Sequence, residues 1–324
     1  MKLKKKTRKK LYTLVASLVL FAVVFLLYHF GILDTLLGDT TTTTTLAVPP
    51  AEGTIEIHMI DVGQADAILI DSGDGYMLID AADRTNASKG ALDDYLEALG
   101  ITTLEWLVLT HPDADHIGGA QMILEEYVVE NVLLSDRTHS SATYTNMLQA
   151  ILEEEGVSIH IVETDDTLDT DTDDITAALY RPGDAFLWDG IGFTVLGPFS
   201  AEDNNNSSVV LRMRYGDATA LFTGDAEQDE EEEILEHISA ELLDVDLLKA
   251  GHHGSETSTT DAFLAAVSPT VALISCGEGN EYGHPHSATL NKLQAAGVTV
   301  YRTDLAGDVV MVCDGVSFTL KPSN

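Results

Sequence analysis

Positive charge is what this chain has least of outside its first residues. The sequence of 324 residues holds 17 Lys and Arg against 53 Asp and Glu. Lys2, Lys4, Lys5, Lys6, Arg8, Lys9 and Lys10 all precede the first acid, so the remainder keeps ten bases against all 53 acids. A surface of that sign repels polyanions at low salt and argues against a chain that coats nucleic acid by charge alone. Cysteine is almost missing as well. Cys276 and Cys313 sit in apolar runs and fit neither a zinc ribbon nor a redox pair, so they read as small buried side chains. Aromatic residues make up only 6%, which predicts a mainly aliphatic core, while 45% hydrophobic residues are enough to bury a large one.

What is present divides the chain into four segments. Residues 1–10 form a basic tail. Residues 11–30, LYTLVASLVLFAVVFLLYHF, contain no charge and match the roughly 20 residues that a helix needs to cross a bilayer. Tyr28, His29 and Phe30 suit an interfacial belt rather than a cleavage site. The bases on its N-terminal side predict a cytoplasmic tail, a single-pass transmembrane anchor in the cell membrane and an extracellular remainder. Residues 31–53, with the run Thr40 to Thr45 and Pro49-Pro50, read as a spacer. The folded domain is expected over residues 54–324.

That domain interleaves strand and helix patterns. TIEIHMIDV, DAILIDS and YMLIDAA read as a three-strand meander, followed by a helix near 88–99 that stops at Gly100. LEWLVLT reads as a buried strand, 117–129 as a helix, and NVLLSD and VSIHIVE as strands around the helix TYTNMLQAILEEEG. The second half has the same style, from GIGFTVLGP to a closing hairpin DVVMVCD/GVSFTLKP. An α/β layered architecture follows. The acidic run Glu227 to Glu233 reads as the solvated face of a helix.

Four polar clusters each follow an apolar strand. VLTHPDADHIGG places His111, Asp113, Asp115 and His116 within six residues, ahead of Gly118-Gly119, which permit close backbone approach. Imidazoles and carboxylates at such density are the ligand types of zinc, manganese or iron. LFTGDAE presents Asp225, LLKAGHHGSETS presents His252 and His253, and GHPHS presents His284 and His286. The shared placement at strand C-termini is where α/β sites gather.

The order HxDxDH-GG, TGD, HHGS resembles the metallo-β-lactamase superfamily. More narrowly it resembles the hydrolase domain of ComEC-type competence proteins. IDVGQADAILID, LTHPDADHIGG, NNNSSVVL, LFTGDAE, LLKAGHHGSETS, YGHPH and VYRTDLAGDVV carry the resemblance from about Ile55 to Thr319. It implies an αββα four-layer sandwich of the metallo-β-lactamase fold. It also implies one or two divalent ions, Zn or Mn. His111 and Asp113 would serve one position and Asp115 and His116 the other. Asp225 would bridge, and His252, in preference to His253, would complete the set, although both can contribute. Two departures stand out. Asn206-Ser207 occupies the region of the superfamily's additional histidine, and Ala65 replaces the usual glycine of DVGQGD.

The implied activity is metal-assisted hydrolysis of a phosphodiester by an outward-facing nuclease or phosphodiesterase. Asp115 would orient the nucleophile, and His284 or His286 would neutralise a phosphate oxygen or protonate the leaving group. Single-stranded DNA or another phosphodiester is the expected substrate. The alternatives are an esterase of cell-wall or lipid phosphodiesters, such as choline-substituted teichoic acid, and a non-catalytic surface binding module of the same fold.

Overall fold

The computed structural model describes residues 46–164, 177–199 and 203–322. The basic tail, the anchor expected at 11–30 and most of the spacer lie outside the described residues. Among the described residues no helix is long and apolar enough to cross a membrane.

Short apolar runs, buried on both faces, build two sheets. In β1 (Ile55–Met59), β2 (Ile68–Asp71) and β3 (Tyr76–Ile79), the residues Ile55, Ile57, Met59, Ile68, Ile70, Met77 and Ile79 face one core. Leu69 and Leu78, one position out of phase, face another. These three strands form the expected antiparallel meander. β4 (Thr103–Leu109), β5 (Val128–Ser135), β6 (Ser158–Val162) and β7 (Ala177–Tyr180) then add in parallel.

The second sheet starts with β8 (Ala185–Trp188), β9 (Ile191–Gly197), β10 (Val210–Tyr215) and β11 (Ala218–Phe222), all antiparallel. It continues in parallel through β12 (Leu247–Lys249), β13 (Val271–Ile274) and β14 (Thr299–Arg302). β15 (Val309–Cys313) and β16 (Phe318–Leu320), the closing hairpin, do not extend this sheet. β15 pairs with β1, so the last hairpin returns to the edge of the first sheet.

The inner faces of the two sheets share one core. Ile57, Val108 and Met311 of the first meet Phe193, Leu211, Phe222 and Leu273 of the second. The scarce aromatics concentrate here: Trp106 stacks on Phe186 at 4.6 Å and Phe186 on Phe193 at 5.2 Å. Helices α1 (Asn86–Ala98), α2 (Ala114–Ile117), α3 (Ala120–Glu126) and α4 (Ala142–Glu153) cover the outer face of the first sheet through Leu92, Leu96, Ile123, Met147 and Ile151. On the second sheet, α5 (Gln228–His237), α6 (Ala240–Leu243), α7 (Asp261–Val267) and α8 (Ser287–Ala295) contribute Ile234, Leu243, Phe263, Val267 and Leu293. The result is the four-layer αββα sandwich.

Two local readings need correction. The helix expected at 117–129 is broken at Gly118-Gly119 and ends at Glu126, because Val128 and Val129 already pair in parallel with Thr103 and Leu104 of β4. The acidic helix α5 is not simply a solvated face. Glu230 and Glu231 are buried, where Glu230 Oε1 accepts from the Phe199 amide at 2.9 Å and the Glu231 carboxylate accepts from the amides of Thr259 and Thr260. Charge-assisted bonds to otherwise orphaned backbone donors offset the cost of that burial.

Candidate metal centre

The C-terminal ends of β3, β4, β11, β12 and β13 open on the same edge of the sandwich, and each contributes a polar loop. After β4, Asp113 starts α2, whose single turn carries Asp115 and His116. This turn seats on residues 81–84 through the Gly118 amide to Ala82 O at 2.9 Å and the Gly119 amide to Ala81 O at 2.7 Å. A Cβ at either glycine would run into that backbone. The close approach read from the sequence is therefore what holds the ligand loop against β3.

Side-chain donors of Asp115, His116, Asp225 and His253 all lie within 4.8 Å of one another. His116 Nε2 is 3.3 Å from Asp225 Oδ2, and His253 Nε2 is 3.3 Å from Asp115 Oδ2 and 3.5 Å from Asp225 Oδ2. Each imidazole is oriented from behind. His116 Nδ1 donates to Asp80 Oδ2 at 2.8 Å, and His253 Nδ1 faces Ser275 O at 3.0 Å and Asp66 Oδ1 at 3.2 Å. Both Nε2 atoms are thereby aimed at the cluster, the arrangement by which outer carboxylates and carbonyls fix a metal-binding histidine. His253 is held at φ 52° and His252 at φ 45°. Non-glycine residues rarely adopt such values, and they concentrate at functional sites.

His111 stands beside this group, its ring 4.1 Å from that of His116. Its Nδ1 lies 3.1 Å from Thr110 Oγ1 and 3.2 Å from Ser208 Oγ, while its buried Nε2 has no hydrogen-bond partner. Burial and the neighbouring His116 hold His111 down to about 3, so it is a neutral donor. An orphaned lone pair at a buried imidazole, next to carboxylates short of donors, fits a divalent cation.

Asp113 departs from the expected set. It is more than a third exposed, its Oδ1 accepts from Asn204 Nδ2 at 2.6 Å, and its Oδ2 is 3.8 Å from His111 Nε2. It stands at the rim, not in the close cluster. The preference for His252 over His253 also turns around. His252 Nδ1 pairs with Glu227 Oε1 at 2.7 Å, and its Nε2 is 3.7 Å from Asp225 Oδ2, so it flanks the cluster that His253 completes. His284 faces the same opening, its ring 5.2 Å from His252. Gln64 Nε2 donates to its Nδ1 at 3.3 Å, which places the His284 proton on Nε2. Burial and the surrounding histidines hold His284 down to about 4, so at neutral pH it offers a hydrogen bond and no charge. His286 is not brought in. Its Nδ1 accepts from the Glu256 amide at 2.9 Å and its Nε2 donates to Tyr282 O at 3.2 Å, leaving no ring nitrogen for chemistry.

Several supporting residues escaped the sequence reading. Lys249, fully buried, places Nζ 2.5 Å from Asp66 Oδ2, 2.6 Å from Gly224 O and 3.5 Å from Asp225 Oδ1. Burial alone would lower its pKa, but Asp66 and Asp225 overcome this and raise it. The segment 204–208 acts residue by residue. Asn204 holds Asp113, Asn205 reaches Glu227 at 3.2 Å, Asn206 caps α5 through the amides of Glu227 and Glu230, and Ser208 takes the Asp225 amide at 3.0 Å. These residues stand where a ligand histidine was sought, and they position ligands instead.

The carboxylates that would share an ion with these imidazoles also favour protons on them. Burial opposes charge on His253, but Asp225 and Asp66 overcome it and raise the group to about 10; Asp225 and Asp80 likewise raise His116. Below pH 6.5 these imidazolium–carboxylate pairs stabilise the metal-free protein in full, and the His253 contribution is lost as pH rises through about 10. A metal must displace those protons. Its affinity is expected to rise at least tenfold per pH unit between about pH 7 and 9, with proton release seen as a heat that differs between buffers of unlike ionisation enthalpy. Affinity independent of pH would contradict this ligand assignment.

An αββα sandwich with histidines and carboxylates converging at one sheet edge is the frame of a metal-dependent hydrolase. The chain belongs to the metallo-beta-lactamase superfamily, whose family model matches residues 60–278. It is 33% identical over 272 residues to ComE operon protein 3 of Bacillus subtilis (strain 168), covering 78% of this chain and 32% of that protein. It is 31% identical to Competence protein ComA of Neisseria gonorrhoeae over 81% of this chain and 32% of that protein. Recombination protein 2 of Haemophilus influenzae is 31% identical over 79% of this chain and 28% of its own length. The chain thus spans about a third of the length of these relatives.

Proposed function

We propose that this chain is a divalent-metal-dependent phosphodiesterase that cleaves nucleic-acid strands at the outer side of a membrane, to which residues 11–30 anchor it. The observation that carries the reading is the convergence of Asp115, His116, Asp225 and His253 beside a neutral His111 whose Nε2 lacks a partner. A bound divalent ion supplies Lewis acidity and lowers the pKa of water toward about 7. The protein residues do the rest. His111, His116, Asp225 and His253 would hold the ion, with Zn or Mn both compatible with this mixed set. Asp115, about a third exposed, faces the opening and orients the attacking water as well as the ion. His284, with its proton on Nε2, donates to a non-bridging phosphate oxygen. The relatives named for competence and recombination support a nucleic-acid strand as substrate.

One observation favours a second reading, an esterase of cell-wall or lipid phosphodiesters. The excess of acids over bases gives a polynucleotide little to hold. Metal-dependent cleavage of single-stranded DNA, compared with cleavage of a small choline phosphodiester, decides between them. The lead reading expects faster turnover of DNA, abolished by Asp115→Ala. Turnover of the choline ester alone would replace it with the second reading.

A further inference from the structure

Tyr282 is the one aromatic among the large hydrophobic side chains exposed in the described residues, with 69% of its surface accessible. Its loop is not loose. Asn280 Nδ2 donates to Gly277 O at 2.9 Å and to His284 O at 2.6 Å, and Asn280 Oδ1 accepts from the His284 amide at 3.0 Å. The Gly277 amide donates to Gln64 Oε1, and the His286 amide donates to Gly254 O. Tyr282 O is itself held by His286. The loop is therefore stitched to Gln64 on one side and to the His253 loop on the other. It presents the Tyr282 ring to solvent at a fixed position.

That position is beside the metal centre. The Tyr282 ring lies nearly parallel to His284, with centroids 5.7 Å apart and planes 25° apart. His284 in turn lies 27° from the plane of His253, with centroids 6.2 Å apart. A run of rings leads from solvent to a side chain of the cluster, and its outermost member keeps a free face. Among the described residues, Lys249 is fully buried, and the two loops that frame the ring, 252–258 and 277–286, carry the exposed Glu256, Glu278 and Glu281 and no Lys or Arg. A ligand held here gains from ring contact, not from ion pairing, and every nucleobase has a π-face that stacks on an aromatic side chain.

We infer that Tyr282 is a stacking platform for the base of the nucleotide bonded to the scissile phosphate, forming a substrate subsite beside the metal centre. This rests on the phosphodiesterase reading and deepens it. The subsite recognises a single planar base without sequence preference, and the acidic rim gives little further affinity to a longer strand.

The test uses the full chain with Mn, its Tyr282→Ala and Tyr282→Phe variants, a single-stranded deoxythymidine oligomer and an abasic oligomer of equal length. Tyr282→Ala is expected to raise KM on the thymidine oligomer roughly tenfold, with kcat within about twofold and KM on the abasic oligomer unmoved. Tyr282→Phe retains the wild-type KM, since the ring and not the hydroxyl does the stacking. An unchanged KM in Tyr282→Ala, or an equal rise on both oligomers, overturns the inference. Fluorescence anisotropy of the same labelled oligomers on chelator-treated protein gives a second readout that needs no turnover. Tighter wild-type binding of the thymidine oligomer, lost in Tyr282→Ala, supports the platform, and equal binding of both oligomers overturns it. A wild-type chain that cuts neither oligomer removes the nuclease reading, while the anisotropy still decides the stacking. A choline phosphodiester whose KM rises in Tyr282→Ala, with the thymidine oligomer unaffected, assigns the ring to an ammonium group and overturns the inference as well.

Discussion

His116→Ala is expected to abolish hydrolysis at every metal concentration, a loss of roughly a thousandfold or more in kcat/KM. His116 is fully buried at the centre of the cluster, with Nδ1 on Asp80 and Nε2 facing Asp225. Removing it takes away a ligand, leaves Asp80 without its imidazole partner and opens a space that an alanine cannot fill. Asp80→Asn is the graded control. It keeps the shape but weakens the grip on Nδ1, and an outer-shell change of this kind costs about 10–100-fold in metal affinity or activity. Adding metal is expected to restore much of the Asp80→Asn activity and none of the His116→Ala activity. Full hydrolysis by His116→Ala at saturating metal would contradict the site.

The second large effect is on stability. Lys249→Met is expected to destabilise the fold by about 3–5 kcal/mol, because it removes the ammonium 2.5 Å from buried Asp66 and one of the cations beside buried Asp225. Burial opposes ionisation of Asp66, and the Lys249 ammonium, helped by His253, overcomes it and holds the carboxyl far below its usual range. Replacing Lys249 by an isosteric apolar residue exposes that debt. Urea unfolding of the wild type and of Lys249→Met measures it. The double variant Lys249→Met/Asp66→Asn is expected to recover a large part of the loss, since the unpaired charge is then gone as well. A Lys249→Met protein as stable as the wild type would mean that the pair contributes nothing. Lys249 is fully buried behind the ligands, so its charge serves the carboxylates and not a substrate.

The strands were legible as short apolar runs bounded by turns, such as YMLI and ATALF, which stay apolar on both faces because helices cover one face and the facing sheet covers the other. The return of the last hairpin to β1 was not legible, because Val309, Met311 and Cys313 alternate in the same way whichever sheet receives them. Strand partners lie in tertiary packing, not in local pattern.

For the site, residue types and their placement at strand ends brought out His111, Asp115, His116, Asp225 and His253. Choosing between the two adjacent histidines was beyond spacing. The choice depends on left-handed backbone at both and on Asp66 and Ser275 behind one of them, residues remote in sequence. Asp113 is diverted to the rim by Asn204, another long-range contact. The buried acids of α5 share this cause, since Phe199, Thr259 and Thr260 supply the donors that make burial of Glu230 and Glu231 tolerable.

The metal content of the purified chain tests the central claim most directly. Elemental analysis after removal of loosely held ions is expected to find one or two equivalents of zinc or manganese per chain in the wild type, and little in His116→Ala or Asp225→Ala. A correctly folded wild-type chain that carries no divalent metal, and takes up none when it is supplied, would contradict the account.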